Sequence, residues 1–542
     1  QGLMLMIPVL HRISGTRQPG VLHVASRTVG THAMSIFGDH SDVMNCRQCG
    51  WAMLSSGSVQ EVMDLAVAAH LAAIDSRIPF MHFFDGFRTS HEIQKIEAIP
   101  YAEWGKLLNW QAVERFRAAA LNPEHPTLRN TVQNPDVYFQ FREANNRYYD
   151  QLPELVEGYL AKISGLTGRD YRLFNYYGAP DAERVIVAMG SVSGAIRETV
   201  SSLHALGEKV GYLQVHLYRP FSSRRLVEAL PRTVKRIAVL DRCKEMGAAG
   251  EPLYQDVCTA FVNDADAPLI VGGRYGLSSK DTDPAQVKAV FDNLEQDTPR
   301  NGFTIGIRDD VTHLSLPLTD FQVAHPGTVS CKFWGLGSDG TVGANKNSIK
   351  IIGENTPLYA QAYFEYDTKK SYGVTKSHLR FGKKPILSTY LVKRADFIAC
   401  HNQGYLDKYD IISELKSGGT FLLNCDWQKG ELSQKLPAAV KRYLAANRIK
   451  FAIIDANGIA KELGLGNHAS MVLQAAFFAL ADIIPLAQAV AQMKQAVAKT
   501  FRKKGEQVVT MNMAAIDRGV AGMRQIAVPA AWAEAWDPPA AP

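Results

Sequence analysis

A regular alternation of strands and helices between residues 184 and 294 restricts the possible folds more than any other feature of the sequence. Apolar runs at Arg184 to Ala188 and Val210 to His216 are separated by a helical segment, and the series ends in a helix over Pro284 to Leu294. Because parallel strands need crossover connections, which are usually helices, this alternation predicts a largely parallel sheet with helices packed on it.

The chain is too long for a single hydrophobic core. At typical domain sizes, 542 residues correspond to about three domains. We therefore predict an α/β fold of three consecutive doubly wound domains with mostly parallel sheets. The predicted domains cover residues 1–173, 174–326 and 327–527, and an Ala- and Pro-rich linker covers residues 528–542.

Charge and hydropathy narrow the range of partners. The 59 basic and 53 acidic residues give a net charge of +6 without a polybasic tract, which favours an anionic small ligand over a nucleic acid. No apolar run reaches membrane-spanning length, and the opening residues lack the basic leader of a signal peptide. We expect a cytoplasmic protein without membrane contact and, since the sequence does not start with Met, a segment of a longer chain.

The seven cysteines do not form a recognisable disulfide or metal pattern. Cys46 and Cys49 make a lone C-x-x-C, and although His40 is close in sequence, no second ligand pair follows at a spacing suited to zinc. We predict that both are reduced, buried or incidental thiols without a redox or metal role.

Three further segments have a predicted local structure. The turn Asp85 to Arg88 should lead into a helix capped by Thr89, because Glu92 completes a capping box. Pro123 to Tyr149 is polar and should form an irregular segment at the protein surface. The apolar run Leu387 to Val392 should be a strand of the third domain.

The segment from Phe333 to Lys346 has the features of an anion-binding turn between a strand and a helix. Alternating apolar residues precede it, and Ile349 and Ile352 follow it at helical spacing. Glycines remove side-chain bulk, so backbone N–H groups can approach a phosphate at the positive end of the helix. The segment also satisfies G-x-G-x-x-G, the dinucleotide-binding pattern, through its glycines at positions 335, 337, 340 and 343.

The end of the next strand bears on which nucleotide such a turn would hold. Glu365 and Asp367 come later than the usual interval for a residue that binds the ribose hydroxyls of NAD, and Lys369 and Lys370 stand beside them. Two lysines favour a ribose that carries an extra phosphate, as in NADP or coenzyme A. The residues alone also allow a turn that only packs a helix on a strand.

Longer motifs are more specific than the glycine pattern. They are Ser35-Ile-Phe-Gly-Asp-His40, the segment from Phe83 to Glu97, Gly178-Ala-Pro-Asp-Ala-Glu-Arg184, the glycine-rich turn itself, and Ser377-His-Leu-Arg-Phe-Gly382. In their order and across nearly the whole chain, these motifs resemble the pyruvate:ferredoxin (flavodoxin) oxidoreductase family.

The resemblance implies an activity and a set of binding residues. The family is a thiamine diphosphate enzyme that cleaves pyruvate, transfers the acetyl group to coenzyme A, and passes two electrons singly through iron–sulfur clusters to ferredoxin or flavodoxin. It therefore implies coenzyme A, not NAD, for the third domain. The positions that match family contacts to coenzyme A are Ser338, Asp339, Gly340, Thr341, Val342, Lys370 and Asn512, together with Ser470, where the family commonly has Asn.

The resemblance also implies a pyruvate contact. Arg27 matches the family arginine that holds the pyruvate carboxylate, and a planar guanidinium suits a carboxylate because it can form two parallel charge-assisted bonds. In the same motif set, Asp85 and Arg88 are expected to fix a loop.

The family pattern further implies that this chain is an interior portion of a homodimeric enzyme, inactive in isolation. The glutamate that activates thiamine is expected upstream of Gln1. The [4Fe-4S] cluster domain and the domain that binds thiamine diphosphate through Mg²⁺ are expected beyond Pro542.

Three other hypotheses stay open at this point. The chain could be an NADP-binding oxidoreductase, a non-catalytic structural module of the same fold, or an enzyme of this class that acts on another 2-oxoacid, since every 2-oxoacid carries the carboxylate that Arg27 would bind.

Overall fold

The structure, a computed structural model, describes residues 2–367 and 373–536. It divides into two compact units. Unit 1 comprises Gln1–His91, Ile96–Ala324 and Leu387–Tyr390, and unit 2 comprises Glu92–Lys95, His325–Ile386 and Leu391–Pro542.

The strands are numbered in chain order. They are β1 (Val21–Ser26), β2 (Ala52–Ser56), β3 (Phe80–Asp85), β4 (Ile93–Gln94), β5 (Phe174–Gly178), β6 (Arg184–Ala188), β7 (Val210–Val215), β8 (Leu217–Arg219), β9 (Arg236–Asp241), β10 (Leu269–Arg274), β11 (Phe303–Thr304), β12 (Thr328–Leu336), β13 (Tyr359–Tyr366), β14 (Val374–Gly382), β15 (Ala395–Cys400), β16 (Leu415–Asn424), β17 (Lys450–Ile454) and β18 (Arg524–Ile526).

The α-helices follow the same order. They are α1 (Gly2–Leu5), α2 (Ile7–Gly15), α3 (Ser41–Asn45), α4 (Val59–Ser76), α5 (Tyr101–Gly105), α6 (Trp110–Ala118), α7 (Pro135–Glu143), α8 (Asn146–Asp150), α9 (Leu152–Thr167), α10 (Val192–Ala205), α11 (Ser223–Ala229), α12 (Pro252–Ala260), α13 (Pro284–Glu295), α14 (Thr341–Asn355), α15 (Leu432–Lys435), α16 (Ala438–Ala446), α17 (Ala456–Glu462), α18 (Ser470–Ala481), α19 (Leu486–Phe501) and α20 (Glu506–Ala521).

Unit 1 contains two sheets in which parallel pairing dominates. One has the order β1-β3-β2-β8, and the other has the order β11-β10-β9-β6-β7-β5. Only the edge strands β8 and β5 pair antiparallel to their neighbours. The strands carry near-continuous apolar runs because helices cover both faces of such sheets, and β2, β7 and nearly all of β6 and β9 are buried.

Unit 2 contains one sheet with the order β18-β17-β16-β15-β12-β14-β13-β4. The four central strands from β17 to β12 are parallel, and the flanking pairs are antiparallel. Separate hydrophobic clusters lie on the two faces, one built around Phe333 and Phe477 and the other around Trp334 and Phe421. The unit is therefore doubly wound.

The predicted α/β class with mostly parallel sheets is confirmed. The predicted strands Arg184 to Ala188 and Val210 to His216 correspond to β6 and β7, and the helix at Pro284 is α13. In the segment predicted as a linker, residues Ala530–Glu534 form a short 3-10 helix and Trp532 is buried within unit 2. In the described chain, each helix is too short or too polar to cross a bilayer.

Three local predictions are wrong. The segment after Asp85 does not form a helix capped by Thr89, because Glu92 accepts a hydrogen bond from Gln361 Nε2 (3.1 Å) and the chain continues into β4. The stretch from Pro123 to Tyr149 is exposed as expected, but it holds α7 and most of α8. Leu387 to Val392 is not a strand.

The segment Leu387–Tyr390 instead belongs to unit 1 and binds it through side chains. Ser388 Oγ and Tyr390 Oη donate hydrogen bonds to the Glu198 carboxylate on α10, at 2.8 and 2.9 Å. In unit 2, β14 lies between β12 and β13, and this strand was not predicted from the sequence.

Candidate functional site

A cavity of unit 2 has a volume of about 710 Å³ and lies at the carboxyl edge of its parallel strands. The ends of β12, β15, β16 and β17 all reach it, which is the location where doubly wound sheets bind ligands. The residues that line it are Leu336, Gly337, Ser338, Asp339, His401, Asn402, Gln403, Asn424, Cys425, Asp426, Asp455, Asn457, Gly458, Lys461, Asn467 and His468.

The glycine-rich turn forms one wall of this cavity. It connects β12 to α14, as predicted, and both Ser338 and Gly340 have left-handed backbone conformations, with φ of 78° and 88°. The Asp339 carboxylate closes the turn by accepting hydrogen bonds from the N–H groups of Leu336 (2.8 Å) and Thr341 (2.7 Å). The turn is thus stabilised by one of its own side chains, that of Asp339.

The turn still presents hydrogen-bond donors. The N–H groups of Ser338, Gly340 and Val342 have no acceptor among the described residues. They lie at or next to the N-terminus of α14, a 15-residue helix, where the helix dipole favours negative charge. Free N–H groups at the N-terminus of a helix favour the binding of an anion.

His401 and Asn424 fix the neighbouring strand ends. His401 Nδ1 lies 2.7 Å from Thr341 Oγ1, so the end of β15 is bonded to the start of α14. Burial lowers the pKa of His401 to about 4 against the opposing effect of Asp339, so the imidazole is neutral near pH 7. Asn424 donates to the His401 carbonyl (3.0 Å) and accepts from the Ala456 N–H (2.9 Å).

Carboxylates in the cavity are mostly bonded to protein groups. Asp455 caps α17 by accepting from the Gly458 N–H (2.8 Å), and Asp426 accepts from Gln403 Nε2 (3.2 Å). Lys461, on the same helix α17, forms no ion pair with any residue the structure describes. A cation and free backbone donors therefore remain for an anionic ligand.

The residues predicted to bind coenzyme A fall into three groups. Ser338 and Asp339 line the cavity, and Gly340, Thr341 and Val342 continue the same turn. Ser470, at the start of α18, is close to Gly340, since a β-carbon at that glycine would lie 3.1 Å from Ser470 Oγ. Lys370 lies outside the described residues.

Asn512 is placed differently from the rest of the set. It is buried on α20 and its Nδ2 donates to the Val508 carbonyl one turn earlier, at 2.8 Å. It does not line the cavity, although α20 packs on α18, the helix that carries Ser470.

Glu365 was considered at the sequence level as a ribose-binding residue. In unit 2 it instead pairs with buried His378, whose Nε2 lies 2.7 Å from the Glu365 carboxylate. Burial alone would raise the pKa of Glu365, but the hydrogen bond and charge of His378 lower this pKa to about 2. The Glu365 carboxylate is thus bonded to the protein, so it is not free to bind the ribose hydroxyls of NAD.

Arg27 lies in unit 1, directly after the carboxyl end of β1. Its Nη2 donates to the Ile36 carbonyl, and the guanidinium lies over the Phe87 ring, 4.8 Å from the centroid. Its Nε is buried and has no hydrogen-bond partner within the part of the chain that the structure describes. An unsatisfied, buried guanidinium donor at a strand end fits a site for a small carboxylate.

Three family models match the chain in order. "Pyruvate flavodoxin/ferredoxin oxidoreductase, thiamine diP-bdg" matches residues 1–160, "Pyruvate:ferredoxin oxidoreductase core domain II" matches residues 182–287, and "Pyruvate ferredoxin/flavodoxin oxidoreductase" matches residues 330–522. The chain belongs to the pyruvate:ferredoxin/flavodoxin oxidoreductase family.

Curated relatives in this family are similar over the whole chain. Pyruvate-flavodoxin oxidoreductases of Enterobacter agglomerans and Klebsiella pneumoniae are each 58% identical, over 98% and 100% of this chain. Pyruvate:ferredoxin oxidoreductase of Moorella thermoacetica is 56% identical over 100% of it. The chain spans 46% of the length of each of these three relatives.

Within this family member, the site around Arg27 depends on a buried charge cluster that the sequence indicated only in part. Asp85, at the end of β3, is fully buried and contacts His40 Nε2 and Arg242 Nη1, and it accepts from the Ser191 N–H at 2.8 Å. Asp85 was expected to fix a loop, but its partners were not predicted. They lie up to 157 residues away, and no periodicity links them.

The cluster positions the turn under Arg27. Gly86 N donates to the Ser26 carbonyl (3.1 Å), and a β-carbon at Gly86 would lie 2.2 Å from that oxygen and 2.7 Å from Arg27 Cδ. The next residue is Phe87, whose ring packs against the Arg27 guanidinium and whose φ is 64°. The loop that Asp85 anchors is therefore the support of the Arg27 side chain.

The two thiols of the lone C-x-x-C are buried, as predicted. Cys46 and Cys49 are each 1% exposed, and burial raises the pKa of Cys46 to about 12. Among the described residues, no three His, Cys, Asp or Glu side chains come together as ligands for a metal ion.

Proposed function

We propose that this chain is the pyruvate-orienting and coenzyme A-binding part of a pyruvate:ferredoxin (flavodoxin) oxidoreductase. The reaction converts pyruvate and coenzyme A to acetyl-coenzyme A and carbon dioxide, and two electrons leave one at a time for ferredoxin or flavodoxin. The observation that carries the proposal is the cavity of unit 2, in which a strand-to-helix turn presents free backbone donors at the carboxyl edge of a parallel sheet.

Coenzyme A fits this cavity in size and chemistry. A volume of about 710 Å³ lies in the range of small-molecule sites, roughly 300 to 1,000 Å³. The donors of the turn at Ser338, Gly340 and Val342 would bind a phosphate, and the amide-rich lining, which includes Asn402 and Asn457, suits the hydroxyl and amino groups of a nucleoside. Lys370 would add a charge for the ribose phosphate, as the family resemblance implies.

Pyruvate would be oriented by Arg27. The stacked position over Phe87 leaves the guanidinium edge with its Nε available, and a carboxylate accepts from such an edge through two parallel bonds. The role of Arg27 in this proposal is to hold the carboxylate that will leave as carbon dioxide.

The thiamine diphosphate and iron–sulfur chemistry of the family is assigned to no residue of this chain. Among the described side chains, no three His, Cys, Asp or Glu come together as ligands for Mg²⁺ or for a cluster. Thiamine diphosphate, when bound by the enzyme, supplies the carbanion chemistry. The proposed contribution of this chain is limited to binding and orientation.

The coenzyme A site is tested by calorimetry on this chain. We expect coenzyme A to bind the wild-type chain and to bind Lys370→Ala about tenfold more weakly, because one charge-assisted contact to a phosphate is lost. Lys350→Ala, on the exposed face of α14, is the control and should bind as wild type. Equal affinities for wild type and Lys370→Ala would disprove the role given to Lys370.

The pyruvate contact is tested in the full-length enzyme that contains this segment. Arg27→Gln should raise KM for pyruvate by about 10- to 100-fold, since a bidentate charged contact is replaced by a single neutral one. Arg117→Gln, an exposed arginine on α6, makes the same charge change and should leave KM unaltered. An unchanged KM in Arg27→Gln would exclude a role in carboxylate binding.

A further inference from the structure

A second cavity, of about 640 Å³, lies in unit 1 and is not part of the proposed reaction site. It is bounded by the segments that precede β1 and β3 and by one face of α9, and its lining includes Arg17, Arg77, Tyr148, Tyr159 and Lys162. Arg27 and Asp85 sit at the opposite, carboxyl ends of β1 and β3. At about 3.3 Å per residue, a six-residue strand separates the two sites by roughly 20 Å.

The charges in this cavity are not balanced by protein groups. Neither Arg17 nor Arg77 forms an ion pair with an acidic side chain in the described ranges, and Arg77 Nε is buried without a hydrogen-bond partner. Burial, together with the charge of Arg17, lowers the pKa of Arg77. Cations held close together without a counter-charge raise the energy of the free protein, and a bound anion removes that cost.

The acidic residues of the lining do not neutralise these arginines. Asp75 accepts hydrogen bonds from Tyr159 Oη (2.9 Å) and Asn109 Nδ2 (3.0 Å). Its nearest arginine is Arg115, at 3.7 Å, outside the lining. Glu154 is exposed at the first turn of α9. The positive side of the cavity is thus available to a ligand.

The backbone at both arginines is unfavourable for any residue but glycine. Arg17 has a φ of 51° and Arg77 a φ of 58°, and the left-handed conformation is unfavourable for a residue that carries a side chain. The equivalent position after α9 is occupied by Gly168, with a φ of 72°. At the two positions that face the cavity, the chain carries a guanidinium where glycine would fit the backbone better.

The aromatic residues add a second recognition element. The Arg17 guanidinium lies 3.8 Å from the centroid of the Tyr148 ring, and Lys162 Nζ lies 4.9 Å from that of Tyr159. The lining residues of α9 recur along one face from Leu152 to Lys162, about 15 Å at 1.5 Å per residue. The cavity lining therefore carries aromatic side chains beside its charged groups.

The geometry points to a phosphate-binding site in this cavity, in which Arg17 and Arg77 hold the phosphate of a small molecule and the tyrosines contact its body. Arginine suits this ligand because its planar donors match phosphate oxygens in pairs. The ligand is an organic phosphate or free phosphate, and the two are distinguished by their affinities.

A simpler account of Arg77 is that it stabilises α4, since a cation at a helix C-terminus interacts well with the helix dipole. Two variants separate the accounts. Arg77→Gly relieves the left-handed backbone but removes the donors, and Arg77→Lys keeps the charge at the helix end but loses paired binding. If Arg77 only stabilised the helix, neither change would affect a phosphate ligand.

The test is a calorimetric titration of this chain with phenyl phosphate, inorganic phosphate and phenol. We expect phenyl phosphate to bind, phenol not to bind, and Arg17→Gln and Arg77→Gly each to weaken the phosphate ligands about tenfold or more. Tighter binding of phenyl phosphate than of inorganic phosphate supports an organic ligand, and equal affinities support free phosphate. Affinity for coenzyme A should not change in these variants, so this result is independent of the proposed function.

The control is Arg12→Gln, which makes the same charge change on the exposed face of α2, outside the cavity. It should bind both phosphates as wild type. The proposal is overturned if neither phosphate binds at millimolar concentration, or if Arg17→Gln and Arg77→Gly bind them with the affinity of the wild-type chain.

Discussion

Replacing Asp85 by alanine should lower the stability of unit 1 by about 3 to 5 kcal/mol, the typical cost of leaving one member of a buried ion pair without its partner. Asp85 is fully buried between His40 and Arg242 and also accepts from the Ser191 N–H. Its removal leaves the Arg242 guanidinium, 3% exposed, without this carboxylate. Native-state hydrogen exchange at β1 and β3 measures the effect within unit 1 alone.

The contribution of Asp85 should also depend on pH in a defined direction. The charges of Arg242 and His40 lower the pKa of Asp85 despite the opposing effect of burial. A lowered pKa gives stability that is complete above the ordinary Asp value of about 4 and is lost as the pH falls further. The difference between wild type and Asp85→Asn should therefore be largest near neutral pH and shrink in acid.

The matched control for Asp85 is an exposed carboxylate in the same unit. Asp181 pairs with Lys209 at 2.8 Å, and both side chains are more than half exposed. Asp181→Ala should leave the stability nearly unchanged. If Asp85→Ala cost no more than this control, the buried cluster would not be the support of the turn under Arg27.

Gly335→Ala should damage the cavity of unit 2 without touching its lining. A β-carbon at Gly335 would lie 2.6 Å from Thr341 Oγ1 and 2.8 Å from Thr341 Cβ, and Thr341 is buried at the start of α14. Moving Thr341 breaks its bond to His401 and shifts the N–H groups of the turn. We expect a loss of about 1 to 3 kcal/mol in stability and at least about tenfold in coenzyme A affinity.

The same substitution elsewhere in α14 provides the control. A β-carbon at Gly353 would have its nearest neighbour, Ala360 Cβ, at 3.8 Å, which is an ordinary contact. Gly353→Ala should keep coenzyme A affinity and raise stability slightly, because alanine is the better helix former. Unfolding and calorimetry of both variants separate an effect on the turn from a general effect of added volume.

The parts of the fold that could be predicted are those fixed by local pattern. The strand at Arg184 and the helix at Pro284 correspond to β6 and α13, because apolar runs and helical spacing are local signals. β14 escaped prediction because several of its buried residues, such as Ser377, His378 and Arg380, are polar. His378 pairs with Glu365, and Arg380 donates to Gln361 Oε1 at 3.1 Å, so both side chains bond to residues of the neighbouring strand β13.

The site could be predicted only in part for a similar reason. The turn at residues 333–346 was identified because glycines, a strand and a helix are adjacent in sequence. The opposite walls of the cavity include His401, Asn424 and Asp455, which parallel pairing brings to the same edge of the sheet from separate strands of the chain. Only tertiary structure joins them.

The central claim, that the cavity of unit 2 binds coenzyme A, is tested most directly by titrating coenzyme A into this chain in the presence of excess NADP. Because the family resemblance assigns the turn and Lys370 to coenzyme A, we predict that NADP does not compete and that the affinity for coenzyme A is unchanged. Displacement of coenzyme A by NADP, or absence of coenzyme A binding to the chain, would contradict the account.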